Sequence, residues 1–447
     1  MFYSSLLLPD LRMSLEENDH EGMREFCLAL HPAIVAEVFN ELTGKEIWRV
    51  LSTCDATHQA EIFGFLSPNR QIEVVDVADR NELSKLLQEM AADERVDFLG
   101  HIDSAHVEAL LPLLPVEERA EIRKLLAYPK GTAGSIMTPE FTALDENITV
   151  AEAFDQLSKQ APESETIYYI YIIDEAKRLD GIVTLRQLLV AKRTMKLVDI
   201  MRRDVLSVRV DDDEEFVASE LARYDFLAIP VVDNQNRLVG IVTHDDAIDV
   251  IKEEADEDAQ MAAAVQPLDE SYMDTPLLVL ARKRGVWLVL LLCAAFGNAS
   301  LLKHYEHIEK DFAWIGWFVP LVLACGGNAG SQSATLVIRE IHTRTMNRRE
   351  KITLMWREAR VALVLGCCMM TVAFIGSMQL VSLVEALTVS SVVCLMVLFG
   401  TVMGTLLPIS FKTLGMDPAL MSNPLIASLS DLLGVFVFFN ATLVIMG

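Results

Sequence analysis

The fold of this chain is decided by the stretch Pro320-Leu-Val-Leu-Ala-Cys-Gly-Gly-Asn-Ala-Gly-Ser-Gln-Ser-Ala-Thr335. It lies inside a long apolar run, yet it is crowded with glycines, amides and hydroxyls. Backbone and amide groups left unpaired in hydrocarbon are costly, so such a segment must face protein or water rather than lipid. A polar, glycine-broken helix at membrane depth is typical of a permeation path.

The 447 residues divide into two parts of opposite charge. Before Ala281 the chain carries 25 basic and 55 acidic residues, whereas from Ala281 onward it carries 13 basic and 9 acidic residues. Acidity on this scale argues against nucleic acid as a partner and favours cations. The seven cysteines show no zinc-site spacing, which argues against a structural zinc centre.

The first 130 residues are expected to form an acidic domain of short amphipathic helices. In one of them, Ser67 is predicted to cap the helix and Pro68 to take its first position. Repeated Leu and Pro punctuation predicts a stacked array of helical hairpins, that is, a superhelix. For any single carboxylate here, a solvated scaffold surface is the alternative to a binding role.

An internal duplication follows. A strand and a second strand occupy Thr166–Asp174 and Arg178–Thr184, and the pattern recurs at Ala228–Asp233 and Arg237–Thr243. Each copy is preceded by an Ile-Met step and a helix, and each ends in a helix. The arrangement resembles a tandem pair of cystathionine-β-synthase-type (CBS) domains, which commonly sense a ligand and regulate an attached enzyme or channel.

CBS pairs often bind adenine nucleotides, with the aspartate of a Gly-x-x-Thr-x-x-Asp motif holding the ribose. The second copy keeps this aspartate as Asp246, whereas the first copy has Gln187. Tyr169 and Phe226 could sandwich an adenine, although core packing is the commoner role of such aromatics. Whether ATP binds is therefore left open by the sequence.

A long acidic helix is predicted from Asp245 to Asp274, leading into the membrane part. Five spans are predicted at about 285–302, 313–338, 360–384, 387–411 and 419–446, each long enough to cross ~30 Å of hydrocarbon. Basic residues before span one and between spans two and three place the amino terminus in the cytoplasm and the carboxyl terminus outside. The expected multidomain architecture is an α-helical superhelical N-terminal domain (1–130), an α/β tandem CBS pair (131–192 and 193–250), an acidic connecting helix (251–280) and a five-helix transmembrane pore domain (281–447).

The candidate pore residues fall into two groups. The first group, in the opening stretch, is Asn328, Ser331, Gln332 and Ser333, where Gly326 and Gly330 could alternatively serve close helix packing. In span five, Asn423, Ala427 and Asp431 follow at i, i+4 and i+8, one stripe over about 12 Å of helix. Asp417 and Pro418 are expected to cap and start that helix.

Asp431 is expected to be the only carboxylate deep inside a span, which marks it as a functional candidate. The ligands of the stripe are all oxygens, which disfavours zinc and copper. Mg²⁺ is typically held through its waters by one or two carboxylates, and two subunits placing Asp431 on a shared axis would supply them. A proton relay or a buried salt bridge is the alternative.

The domain order and several local motifs resemble the MgtE family of magnesium channels. The matching motifs are Met137-Thr-Pro-Glu-Phe141, Glu165-Thr-Ile-Tyr-Tyr-Ile-Tyr171, Gly326-Gly-Asn-Ala-Gly-Ser-Gln-Ser333, Asp417-Pro-Ala-Leu-Met-Ser-Asn-Pro424 and Ser430-Asp431. The resemblance implies a homodimer in the plasma (inner) membrane with a pore along the dimer axis, where Asp431 is joined by Asn423, Asn328 and the Ala427 carbonyl.

The resemblance also implies that cytosolic Mg²⁺ closes the pore by binding between subdomains. The matching positions are Glu61, Asp93 and Asp97 on the helical domain, Asp213, Glu215, Asp225, Asp246 and Asp249 on the CBS pair, and Glu254, Glu257 and Asp258 on the connecting helix. Gln187 departs from family members that bind ATP, which puts that regulation in doubt.

The expected function is thus passive Mg²⁺ uptake with feedback closure. No phosphate loop, metalloprotease motif or nucleophile motif is present, so an enzyme is not expected. Two alternatives stay open at this point. One is an ion-coupled secondary transporter of Co²⁺ or Mn²⁺ with a nucleotide-sensing CBS pair, and the other is a non-transporting membrane receptor.

Overall fold

The structure is a computed structural model. It describes residues 2–102, 104–161, 164–268, 272–273, 275–343, 346–414, 416 and 423–446. The chain forms two compact units, Met1–Ile251 and Lys252–Gly447, and each is considered by itself.

Ten short helices build the N-terminal domain. Their bounds are α1 Phe2–Glu17, α2 His20–Ala29, α3 Pro32–Phe39, α4 Gly44–Leu51, α5 Ala56–Gly64, α6 Pro68–Val77, α7 Arg80–Glu89, α8 Ala92–His101, α9 Ser104–Leu110 and α10 Val116–Leu125. From α1 to α6, each helix packs on the helix two places further along the chain, which produces the predicted superhelix. Asp55 and Thr43 accept backbone hydrogen bonds at their helix starts. Ser67 takes the N-cap position with Pro68 following, but the prediction of a capping bond was wrong, since its side chain makes none.

Two three-stranded sheets confirm the duplication. The first contains β1 Phe141–Asp145, β2 Thr166–Ile173 and β3 Leu179–Thr184, and the second contains β4 Val208–Arg209, β5 Ala228–Val232 and β6 Leu238–Thr243. In each sheet the first strand runs parallel to the second, and the second pairs antiparallel with the third. The accompanying helices are α11 Val150–Gln160, α12 Leu185–Val190, α13 Glu214–Tyr224 and α14 His244–Ala262.

The acidic connecting helix is shorter than predicted. α14 ends at Ala262 rather than continuing to Asp274. Ala264 adopts a left-handed backbone conformation with φ 59°, and Val265 N–H donates back to the Gln260 carbonyl. This closes the helix as a C-terminal cap, and Pro267 then prevents its continuation.

The second unit contains the five predicted spans, which the structure confirms. The helices are α15 Leu277–His304, the short α16 Glu306–Asp311, α17 Ile315–Thr343, α18 Arg348–Ser377, α19 Leu383–Thr413 and α20 Asn423–Met446, and α15, α17, α18, α19 and α20 are long and apolar enough to cross a membrane. α19 lies at the centre and packs against α17, α18 and α20. α15 buries none of its residues and packs mainly on α20. The expected Asp417 cap and Pro418 lie outside the described residues.

Glycines bring α17 and α19 into backbone contact. A Cβ atom added at Gly400 would overlap the Gly326 carbonyl oxygen, and one added at Gly404 would overlap the Gly330 carbonyl oxygen. Gly326 and Gly330 therefore do allow close helix packing, and the helices they bring together belong to the same chain. It leaves the neighbouring polar residues of α17 free to serve another face.

Candidate functional sites

A polar stripe forms where α17 meets α20. Ser331 Oγ donates to the Asn423 carbonyl oxygen at 3.2 Å, and Thr335 Oγ1 donates to Asn423 Oδ1 at 3.4 Å. One turn earlier on α17, a Cβ at Gly327 would lie 3.3 Å from the Ala427 Cβ. The opening stretch and the span-five stripe, predicted separately, therefore lie side by side.

Asp431 ends this stripe on α20, two turns after Asn423. It is half-buried, and no hydrogen bond or ion pair of its carboxylate is found among the described residues. Asn328 is exposed on α17, next to the Gly327 contact with Ala427. A half-buried carboxylate in a spanning helix, accompanied by amide and backbone oxygens, offers the ligands that a hydrated hard cation prefers.

A second carboxylate, Glu358, lies on one of the long apolar helices, and the expectation that Asp431 is the only one deep inside a span stays a prediction. α18 begins at Arg348, earlier than the predicted third span, and it therefore contains Glu358. Ser333 Oγ donates to Glu358 Oε2 at 2.9 Å. The flanking Arg357 and Arg360 made this segment read as a loop.

An acidic cluster forms where the helical domain meets the CBS pair, and it comprises Asp93, Glu94, Glu140, Glu165, Asp245 and Asp246. α8 carries its two residues at the helix start, where Glu94 lies over Gly64 of α5. On the CBS side, Thr138 pairs with Ile241 of β6, and Glu165 N–H donates to the Glu140 carbonyl oxygen at 2.7 Å. These two pairings hold the chain before β1 and β2 close to the start of α14.

The carboxyl groups of the cluster are harder to ionise than free carboxyl groups. Burial, reinforced by the neighbouring carboxylates, raises the pKa of Glu94, of Glu165 and of Asp246 to about 7 each. Burial also raises the pKa of Asp93 and of Glu140. Asp93 Oδ1 is buried without a hydrogen-bond partner among the described residues. At neutral pH these side chains therefore favour a proton or a cation among them.

Protein cations do little to neutralise the cluster. Arg95 is buried beside it, but its guanidinium donates to Glu118 at 2.7 Å and to the Met90 carbonyl oxygen at 2.6 Å. Among the described residues, no three His, Cys, Asp or Glu side chains converge closely enough to hold a bare metal ion. Mg²⁺ retains several waters in protein sites, and binding through water does not require such convergence.

The other predicted cation ligands are spread over the structure. Glu61 and Asp97 lie near enough to Glu94 to raise its pKa, after burial and other carboxylates. Asp213 caps α13 by accepting from Phe216 N–H at 3.2 Å, and Glu215 lies in the first turn of that helix. Asp225 ends it in a left-handed conformation, about 18 Å along the helix from Asp213, so these three do not form one site.

The four remaining predicted ligands lie along α14. They are Asp249, Glu254, Glu257 and Asp258. The sequence reasoning missed four members of the acidic cluster, namely Glu94, Glu140, Glu165 and Asp245. Two of these, Glu140 and Glu165, lie inside motifs that already carried the family resemblance, which was the available signal.

A cavity of about 570 Å³ lies between the two CBS copies. Tyr169 and Phe226 both line it, as do Thr184, Arg202 and Asp204. Gln187 Oε1 accepts from Thr184 N–H and Thr184 Oγ1 at 2.9 Å each, so in the first-copy motif a neutral residue bonds to the threonine that lines this cavity. In the second copy, Thr243 Oγ1 donates to Asp246, and Asp246 belongs to the acidic cluster instead.

Comparisons with known proteins agree along the whole chain. Family models match a divalent cation transporter domain at residues 319–441, an MgtE intracellular N domain at 30–131, and CBS domains at 133–193 and 197–253. The magnesium transporter MgtE of Thermus thermophilus is 36% identical over 440 residues, covering 97% of each chain. That of Bacillus subtilis is 32% identical over 441 residues, covering 98% of this chain and 97% of its own.

Solved structures resemble the cytosolic part. A crystal structure of the cytosolic domain of the Mg²⁺ channel MgtE in complex with ATP has 39% sequence identity and a TM-score of 0.53, covering 55% of this chain and 100% of its own. The soluble part of a magnesium transporter has 36% identity and a TM-score of 0.52, covering 56% and 99%. The relatives named here are transport proteins rather than enzymes.

Proposed function

The chain belongs to the MgtE family of magnesium transporters, and from this premise we propose that it is a passive Mg²⁺ channel closed by cytosolic Mg²⁺. Its five spanning helices make it a multi-pass membrane protein. We place it in the plasma (inner) membrane with the amino terminus in the cytoplasm, because basic residues cluster before α15 and between α17 and α18.

One observation carries the pore assignment. Asp431 lies half-buried on the face of α20 that meets the glycine-rich segment of α17, without a protein cation to neutralise it in the described residues. A single carboxylate cannot strip Mg²⁺ of its waters, so it selects the hydrated ion electrostatically. A homodimer would place two such carboxylates on one axis.

The driving force for entry needs no chemical step. Moving a divalent cation across 100 mV is worth about 4.6 kcal/mol, and the sequence holds no nucleotide-hydrolysis motif. Mg²⁺ is accordingly both substrate and regulator in this proposal.

The acidic cluster is proposed as the sensor. Its six carboxylates come from the helical domain and from the CBS pair, so a bound cation favours the arrangement that brings both together. A ligand that binds one arrangement better shifts the equilibrium towards it. High cytosolic Mg²⁺ would therefore stabilise the compact form, and α14 would pass this change to the spanning helices.

The cavity between the CBS copies is proposed as an adenine nucleotide site of low affinity. Three aromatic side chains, Tyr169, Tyr224 and Phe226, line it, whereas the ribose-binding carboxylate is replaced by Gln187. The variant Gln187→Asp should bind ATP more tightly than the natural chain by isothermal calorimetry, because Asp accepts hydrogen bonds from both ribose hydroxyls. Equal binding by both proteins would remove Gln187 from this role.

The proposal is tested by ion flux from the purified chain in liposomes. We expect Mg²⁺ entry driven by its gradient and the membrane potential alone, falling as Mg²⁺ rises on the cytosolic side. Flux that depends on a proton or sodium gradient, with Co²⁺ or Mn²⁺ preferred, would support the ion-coupled transporter instead. Absence of any ion flux would support the receptor.

A further inference from the structure

A polar contact on the far side of α17 has no part in the proposed pore. Ser333 is buried at this point, where α17, α18 and α19 meet. Its Oγ donates to Glu358 Oε2 on α18 at 2.9 Å and lies 3.0 Å from Thr405 Oγ1 on α19. Three helices therefore share one hydrogen-bonded contact inside an otherwise apolar bundle.

Ser333 and Ser331 point to opposite sides of the same helix. Two residues along an α-helix correspond to a rotation of about 200°. Ser331 bonds to Asn423 on α20, on the polar stripe that leads to Asp431. The contact with Glu358 is therefore behind the stripe, where it can set the rotation of α17 without touching a permeating ion.

The rotation of α17 about its own axis depends on its contacts with the neighbouring helices. Next to Ser333, α17 packs on α19 through glycine backbones, and these glycines supply no side chain that would fix the helix about its own axis. A charge-assisted hydrogen bond is stronger than a neutral one, and low dielectric strengthens it further. A carboxylate can only accept, so the single hydroxyl proton of Ser333 is directed to Glu358.

We propose that Glu358 is a positioning residue for ion permeation, which holds α17 through Ser333 so that Ser331 and Asn328 face α20. This inference rests on the proposed Mg²⁺ channel. It assigns Glu358 no contact with the ion.

The test compares Glu358→Ala, Glu358→Gln, Ser333→Ala and the double variant Ser333→Ala/Glu358→Ala for Mg²⁺ flux in liposomes. Glutamine keeps an oxygen that accepts from Ser333, so Glu358→Gln should retain flux within about threefold of the natural chain. Glu358→Ala should lower flux on the order of tenfold, which corresponds to the loss of one charge-assisted hydrogen bond. Ser333→Ala should lower it similarly, and the double variant should be no worse than Glu358→Ala alone.

The matched control is Ser300→Ala, because Ser300 Oγ bonds only to its own helix at Phe296; its flux should be unchanged. Thermal melting in detergent identifies any variant that fails to fold, and in that case Ser333→Ala alone decides the matter. A Glu358→Gln protein as impaired as Glu358→Ala, independent effects of the two sites, or full flux in Ser333→Ala would each overturn the proposal. A natural chain without Mg²⁺ flux would instead refute the proposed function.

Discussion

The two acidic regions of this chain arrange their carboxylates in opposite ways. In the membrane unit, Asp431 stands alone on one helix, with amide and backbone oxygens beside it. In the first unit, six carboxylates meet from the helical domain and the CBS pair, and three of them have a pKa of about 7. A lone charge on one helix suits the selection of an ion that must leave again. Repelling charges on two domains suit the detection of a cation, because a bound cation changes how those domains assemble.

The largest effect should come from removing the lone charge. Asp431→Asn should lower Mg²⁺ flux by at least 100-fold while the protein stays folded, because no second carboxylate of the stripe replaces it. Liposome flux measures the loss, and size-exclusion chromatography in detergent measures folding and assembly. Glu385→Gln is a suitable control, since that residue caps the start of α19. Near-normal flux in Asp431→Asn would contradict the assignment of ion selection to Asp431 and of sensing to the acidic cluster.

A smaller effect is expected from removing two charges from the acidic cluster. In Asp93→Asn/Asp246→Asn, flux at low Mg²⁺ should be unchanged, but the cytosolic Mg²⁺ concentration that halves it should rise about tenfold, equivalent to about 1.4 kcal/mol of lost cation binding. Removing residues 1–130 should weaken closure in the same direction. If neither change alters the closing concentration, the helical domain is a scaffold and the cluster is not a sensor.

Packing of the membrane unit can be separated from its charge. Gly404→Ala places a methyl group against the Gly330 carbonyl oxygen, whereas a Cβ atom at Gly376 on α18 would meet nothing within 4 Å. Overpacking of this kind costs about 1–3 kcal/mol, so Gly404→Ala should melt several degrees lower and Gly376→Ala should not. Equal melting of both variants would contradict the close α17–α19 contact.

The smallest effect concerns pH. The cluster carboxylates have folded-state pKa values above their ordinary ones, so the assembled form holds protons that the separated form has lost. Its stability is therefore present at low pH and declines as pH rises towards about 7. Without Mg²⁺, raising the pH from 6 to 8 should speed amide hydrogen exchange in α8 by more than the intrinsic pH dependence of exchange accounts for. Added Mg²⁺ should abolish that excess, and an excess that persists would mean that the cation does not bind there.

Much of the architecture follows from local signals. Apolar runs predicted five spans, and the repeated strand pattern predicted the two sheets, because hydrophobic periodicity is a property of neighbouring residues. The length of α14 was missed because the left-handed turn at Ala264 uses an alanine, where glycine is the usual signal. Glu358 was missed because its arginine neighbours obscured the start of α18.

The cluster shows a different limit. Asp93 and Asp246 were expected to bind a cation, but Glu94, Glu140, Glu165 and Asp245 join them only through pairings distant in sequence. The Thr-x-x-Asp position of each CBS copy shows its role only in the folded structure. In its first copy, Thr184 lines the cavity between the CBS copies, and in its second copy, Asp246 joins the acidic cluster with Asp93 of the helical domain.

The central claim is that one carboxylate conducts and a separate cluster closes. It is tested most directly by Mg²⁺ flux in liposomes, measured against cytosolic Mg²⁺ for the natural chain, Asp431→Asn and Asp93→Asn/Asp246→Asn. The account predicts flux lowered by at least 100-fold at every concentration for the first variant, and full flux that closes only at higher Mg²⁺ for the second. Near-normal flux through Asp431→Asn, or natural closing behaviour in the cluster variant, would contradict it.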